Sequence, residues 1–202
     1  MDQLIPVCKG GTEMRRTLIT GVLTAILTAA AVWQAAPAPG AARMLAPKVA
    51  LERVEVAAYF PYAPAPARVP LILAFVFNIE NPNDFVVKFD EFTFTYGFEA
   101  AQFRFFDLNT PQVYETIHIP ARATNQLRVT SVLDSLIVPS TLAVAEGRRI
   151  EELGLRIPDL VRFWWEKIGD FEFRVRVSNG TVRFTSDAGS TRVTFRGTFP
   201  RR

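Results

Sequence analysis

Residues Leu71–Phe98 read LILAFVFNIENPNDFVVKFDEFTFTYGF, and this stretch decides the fold. Leu71–Ile79 is apolar almost throughout, the pattern of a strand covered on both faces. Asn81-Pro82-Asn83-Asp84 then forces a turn. Pro82 drives Asn81 away from helical backbone, and Asn83 and Asp84 tolerate turn geometry. The chain resumes over Phe85–Phe98 with Phe89, Phe92, Phe94 and Tyr96 near period two, one aromatic face of a second strand.

The same grammar continues to either side. Val49–Phe60, rich in Val, Tyr and Phe, reads as a strand, and the segment APAPARVP at Ala63–Pro70 joins it to the next. Gln112–Ile119 and Thr124–Leu133 are two more strands, split by Pro120-Ala121-Arg122. Near the C-terminus Phe171, Phe173, Val175 and Val177 alternate with Glu172, Arg174 and Arg176. Asn179-Gly180 then suits a two-residue hairpin loop, with Thr181–Thr185 returning so that Val177 faces Val182, Val175 faces Phe184 and Arg176 faces Arg183. Thr191–Phe199 supplies a last strand with Val193, Phe195 and Phe199 inward. Pro158-Asp159 opens a helix carrying Leu160, Val161, Trp164, Trp165 and Ile168, and Gly169 ends it. Leu142–Leu153 is either a short helix or an irregular loop. The expectation is an all-β protein, an antiparallel β-sandwich of about seven strands with one short helix.

The first 42 residues differ in kind from this domain. Arg15 and Arg16 precede Thr17–Trp33, which carries no charge, and small residues follow up to Ala42. That is the layout of a signal peptide cleaved after Ala42, with Met14 as an alternative start. Read instead as a retained anchor, residues 17–33 reach roughly 25 Å, near the lower limit for spanning a bilayer. Both readings place residues 43–202 outside the cytoplasm, periplasmic or extracellular, with Arg15 and Arg16 holding the N-terminal side inside. Residues 35–46 form an Ala/Pro linker.

Lys and Arg number 23 against 20 Asp and Glu, and removing Lys9, Arg15, Arg16, Asp2 and Glu13 leaves the domain at a formal +2. The pI of about 9.3 therefore describes a nearly balanced chain without the charge density of a nucleic-acid binder. The single cysteine, Cys8, precedes the apolar segment, so the domain contains neither a disulfide nor a cysteine metal site.

The run Phe75-Val76-Phe77-Asn78-Ile79-Glu80-Asn81-Pro82-Asn83 resembles the strand and Asn-Pro-Asn turn of LEA type 2 proteins, the late embryogenesis abundant family that includes the WHy (water stress and hypersensitive response) domain. The aromatic strand ending in Tyr96-Gly97 and the order strand, short helix, strand hairpin from Gln126 to Phe184 are similar too, so the resemblance spans about Ala46–Pro200. It implies an immunoglobulin- or fibronectin type III-like sandwich. It implies no catalytic residues, no cofactor, no small-molecule substrate, and a role in desiccation, cold or osmotic stress. The 17 Phe residues and the adjacent Trp164 and Trp165 exceed what a purely solvated protectant needs, and favour a surface that meets something apolar.

The residues themselves supply little chemistry. His118, the only histidine, stands on the outward phase of a strand between Ile117 and Ile119, without the partners a metal site or a catalytic triad requires. Carboxylate pairs such as Asp84 with Asp90, or Asp159 with Asp170, suit turns and caps, Asp159 in particular a helix first turn. Asn179-Gly180-Thr181 also matches a glycosylation sequon, but reads as a turn. Two surfaces remain as candidates for membrane lipids or client proteins: Trp164 and Trp165, since Phe163-Trp164-Trp165 span about 200° of a helix, and the arginine face Arg174, Arg176 and Arg183. The functional expectation is a non-catalytic exported stress-protection protein, with a membrane-tethered lipid- or protein-binding module as the alternative.

Overall fold

The computed structural model describes residues 43–100 and 104–201. Residues 17–33, expected as a signal peptide or anchor, and the expected linker as far as Ala42 lie outside the described residues. The described chain runs β1 (Lys48–Ala58), β2 (Pro70–Glu80), β3 (Val87–Glu99), β4 (Phe105–Asn109), β5 (Gln112–Val113), β6 (Ile117–Ile119), β7 (Thr124–Asp134), α1 (Ile137–Glu152), α2 (Ile157–Lys167), β8 (Val175–Ser186) and β9 (Gly189–Phe199). All strand pairs are antiparallel. One sheet has the order β1-β2-β7; the other runs β4-β3-β8-β9, with β5 and β6 also on β3. The architecture is an all-β antiparallel sandwich.

The aromatic positions form the layer between the sheets. Phe75 and Phe77 of β2 meet Phe92, Phe94 and Tyr96 of β3, with ring centroids 4.6–5.1 Å apart, and Phe195 of β9 joins them 5.4 Å from Phe77. All six are buried. Tilted and edge-on aromatic pairs of this kind each add about 0.5–1.5 kcal/mol beyond their buried area.

Leu73–Phe77 is buried on both sides, as its composition implies, but among the described residues no second layer covers the outer face. Ala74 and Val76 lie in register between Glu55 and Arg53 of β1 and Thr130 and Arg128 of β7. Arg53 bonds Glu55 at 2.7 Å, and Arg128 also bonds Glu55. These paired side chains flank Ala74 and Val76, which are 0% and 2% exposed.

Three sequence expectations are corrected. First, Gln112–Ile119 is two short strands. Residues 105–119 return along β3 as β4, β5 and β6 in turn. The break at Tyr114–Thr116 falls opposite the register shift between Phe89 and Phe92, so the bulge in β3 interrupts its partner as well.

Second, Asn179-Gly180 is not a hairpin loop. It lies inside β8, and the reversal is at Asp187-Ala188, between Ser186 and its partner Gly189. Val182 therefore faces Val193 and Arg183 faces Arg192. The positive φ of Asn179, 50°, is spent on a bulge between Val177 and Gly180. Gly180 is needed because a Cβ there would fall on the Phe195 ring. A turn at this dipeptide would end β8 after four residues and forfeit its long ladders to β3 and β9.

Third, there are two helices among the described residues, because Ile137–Glu152 is helical throughout and buries Val138, Leu142 and Ile150. Both helices lie between β7 and β8 in the chain and close one end of the sandwich.

Candidate functional site

The Asn-Pro-Asn turn is an internal clasp. Asn81 and Asn83 are 1% and 3% exposed. Asn81 Nδ2 donates to the carbonyls of Phe85 (2.8 Å), Pro120 (3.0 Å) and Ile119 (3.2 Å). Its Oδ1 accepts from the backbone and side-chain amides of Asn83 at 3.0 and 2.9 Å. Asn83 in turn exchanges two bonds with the Leu45 backbone, at 2.8 and 2.9 Å. The backbone adds Asn81 N to Ala123 O and Arg122 N to Asn83 O, both 2.9 Å. Two amide side chains thus satisfy the polar groups where β1, β2, β3, β6 and β7 converge, while Pro82 is half-buried between them.

Trp164 and Trp165 are fully buried, contrary to a role as a surface. Trp164 Nε1 donates to Glu99 O at 2.8 Å, and its ring meets Phe98 at 5.6 Å. Trp165 Nε1 donates to Val69 O at 3.1 Å. The three aromatics do spread around the helix, but the buried stripe of α2 is wide enough for Leu160, Val161, Trp164 and Trp165, and Phe163 is the aromatic left 39% exposed.

The arginine face is also divided. Arg174 makes a bidentate pair with Glu99, 3.0 and 2.7 Å, and lies over the Phe105 ring. The hydrogen bonds it donates to the Glu99 carboxylate hold its guanidinium pKa above the ordinary value. Arg176 reaches Asp107 at 2.9 Å and stacks on Phe105 at 4.8 Å. Of these three, only Arg183 is exposed and makes no ion pair among the described residues. It faces Arg192 rather than Arg176, and both line a shallow depression of about 400 Å³ that also contains Asp90 and Glu91. Arg174, Arg176 and Arg183 therefore form no continuous cationic patch.

His118 is exposed on β6, in register with Lys88. Asp159 sits in the first turn of α2, 3.7 Å from Arg156. Asp90 accepts from Thr116, and Asn179 is exposed on its bulge. Among the described residues no three His, Cys, Asp or Glu side chains gather as a metal site, and no helix is long and apolar enough to cross a membrane.

One buried polar group was missed. Tyr96 Oη and Ser131 Oγ are 2.9 Å apart, and Asn109 Nδ2 donates to the same Ser131 oxygen at 3.1 Å. Burial pushes the Tyr96 phenol up to about 12, against the two hydrogen bonds. The signal was present: Ser131 occupies the inward phase of Leu127, Val129 and Leu133.

No family model matches the chain, and no curated protein matches its sequence. Solved structures do align with it. Northeast Structural Genomics Consortium target SoR45 is 14% identical over 75% of this chain and 84% of its own, with a TM-score of 0.39. A protein from Archaeoglobus fulgidus is 10% identical over 76% and 98%, with a TM-score of 0.36. The solution structure of AT1g01470 from Arabidopsis thaliana is 9% identical over 77% and 80%, with a TM-score of 0.45.

Proposed function

We propose that the chain is a non-catalytic, exported protective protein of the LEA type 2 kind, which shields other proteins or membranes during drying, cold or osmotic stress. The observation that carries this reading is a set of exposed apolar side chains on a charged surface. Val144 on α1 is 90% exposed and Phe163 on α2 39%, and Tyr59 and Phe60 follow β1 at 46% and 47%. Around the two helical residues run the exposed ion pairs Arg148–Glu152, Arg149–Glu146 and Arg162–Glu166. Isolated apolar side chains among paired charges suit many weak contacts with partly unfolded clients better than one tight complex. The experiment dries or freezes a labile enzyme with the full chain, beside an equimolar inert β-sandwich. Protection above that control, reduced by Val144→Ser together with Phe163→Ser, supports the reading. Protection no better than the control overturns it.

A membrane-tethered reading has an observation of its own. Leu45 and Val86 are 56% and 50% exposed, close to Asn83, where the described chain begins. Liposome flotation of the full chain, with and without Leu45→Glu and Val86→Glu, separates this reading from the first. Equal flotation of wild type and double variant removes any part for this end of the sandwich.

A further inference from the structure

Strand β7 is the edge of its sheet and pairs with β2 from Pro70↔Asp134 to Glu80↔Thr124 without a register shift. Its open side can be identified from the bonds at both ends. Ser135 N donates to Val69 O at 3.1 Å, and Asn81 N donates to Ala123 O at 2.9 Å. Odd-numbered residues of this line therefore point their amides at β2. Antiparallel alternation then turns the N–H and C=O groups of Gln126, Arg128, Thr130 and Val132 away from the sheet.

The other long edges are guarded. β1 carries two register shifts and lies against β9, where a Cβ on Gly197 would meet Leu51 Cβ at 2.7 Å. Arg201 Nη2 caps the Leu51 carbonyl at 2.8 Å. β4, at the edge of the second sheet, has only five residues. β7 has eleven residues, no proline and no bulge, and a groove of about 560 Å³ runs between it and residues 109–115. Exposed apolar side chains collect at this edge: Tyr114 at 70%, Val132 at 55%, Ile137 at 54% and Leu136 at 40%. Natural sheets seldom leave such an edge unprotected unless another strand pairs with it.

We propose that β7 pairs antiparallel with β7 of a second copy, about a twofold axis through Ser131, extending the three-stranded sheet to six. This inference does not rest on the protective reading. The charge pattern selects both the occupant and the register. With the axis at Ser131, Thr130 faces Val132 and Arg128 faces Asp134 of the second copy, twice by symmetry. An axis at Arg128 opposes two like charges, and axes at Val129 or Thr130 leave Arg128 opposite an uncharged residue. Within each copy Arg128 already meets Glu55, and Asp134 meets Arg68 at 2.8 Å. The chosen register therefore continues an alternation of charge across the seam. It also places Thr130 of the second copy beside Val132, which is 55% exposed.

Two measurements on the full chain test this. Sedimentation velocity should show a dimer. Thr130→Pro removes two outward N–H donors per dimer while sparing the β2 ladder, and should raise the dissociation constant about tenfold or more with an unchanged circular dichroism spectrum. Val132→Lys, which leaves the backbone intact, should do the same. In a Cys8→Ser background, Thr130→Cys and Val132→Cys should form a disulfide when mixed, because hydrogen-bonded antiparallel partners stand about 5.5 Å apart, within disulfide reach. Neither should cross-link alone. A monomeric wild type, association unaffected by both substitutions, or cross-linking of either single-cysteine protein alone as readily as the mixture overturns the proposal.

Discussion

Replacing Asn81 by alanine is the sharpest test of how this fold is held. Asn81 Nδ2 serves three carbonyls and its Oδ1 serves two amides of Asn83, all in a site 1% exposed. Alanine leaves those groups without their partner. A buried polar group stripped of its bond costs about 1–3 kcal/mol, and part of that returns where water can reach the half-buried carbonyls of Phe85 and Pro120. The expected loss is about 3–4 kcal/mol. With an m-value near 2 kcal/mol per molar for a domain of this size, the urea midpoint should fall by roughly 1.5–2 M. Asn81→Asp separates hydrogen bonding from volume. Its carboxylate would face three carbonyl oxygens, so its folded pKa must rise above the unfolded value of about 3.9. The sign follows: the Asp variant is least impaired below about pH 4, where the acid can donate, and worsens as pH rises through its folded pKa. A loss under about 1 kcal/mol for alanine, or an Asp variant indifferent to pH, would refute the clasp.

Three further outcomes follow from the packing. Gly180→Ala should cost about 2–4 kcal/mol in chemical denaturation, because the added methyl meets the Phe195 ring in a close-packed core; at an exposed hairpin loop the same change would cost about 1 kcal/mol, so a value that small would restore the turn reading. Trp165→Phe should lower stability by about 1–3 kcal/mol, through the lost bond to Val69 O and lost volume, with no change in liposome flotation; altered flotation would return Trp165 to the surface. Alkaline titration should reveal Tyr96: its phenol, at about 12 in the fold against about 10 unfolded, contributes stability that is intact below pH 10 and lost as pH rises toward 12, on the order of 2–3 kcal/mol, and Tyr96→Phe should remove that slope.

How far each feature was legible follows from the range of the interaction behind it. The strands at Lys48–Ala58, Pro70–Glu80, Val87–Glu99 and Thr124–Asp134 show period-two or fully apolar patterns, which depend only on neighbours along the chain and on one buried face. α2 shows its 3.6-residue stripe, and Pro82 marks its turn, for the same local reason. These patterns alone determine an all-β sandwich with a helix before the last hairpin. Tertiary structure decided the rest. Asn179-Gly180 has the backbone freedom for either a turn or a bulge, and the choice fell to Phe195, a residue of the partner strand. Trp164 and Trp165 could not be assigned to core or surface from α2 alone, because the width of the buried stripe depends on Phe98, Phe106 and Val69. Arg174 and Arg176 look like a cationic face until Glu99 and Asp107, some seventy residues earlier, arrive beside them. Local periodicity states which side of a strand is apolar. Which charges are neutralised, and which edge is left open, is set by contacts between residues distant in sequence, and those exist only once the sheets have packed.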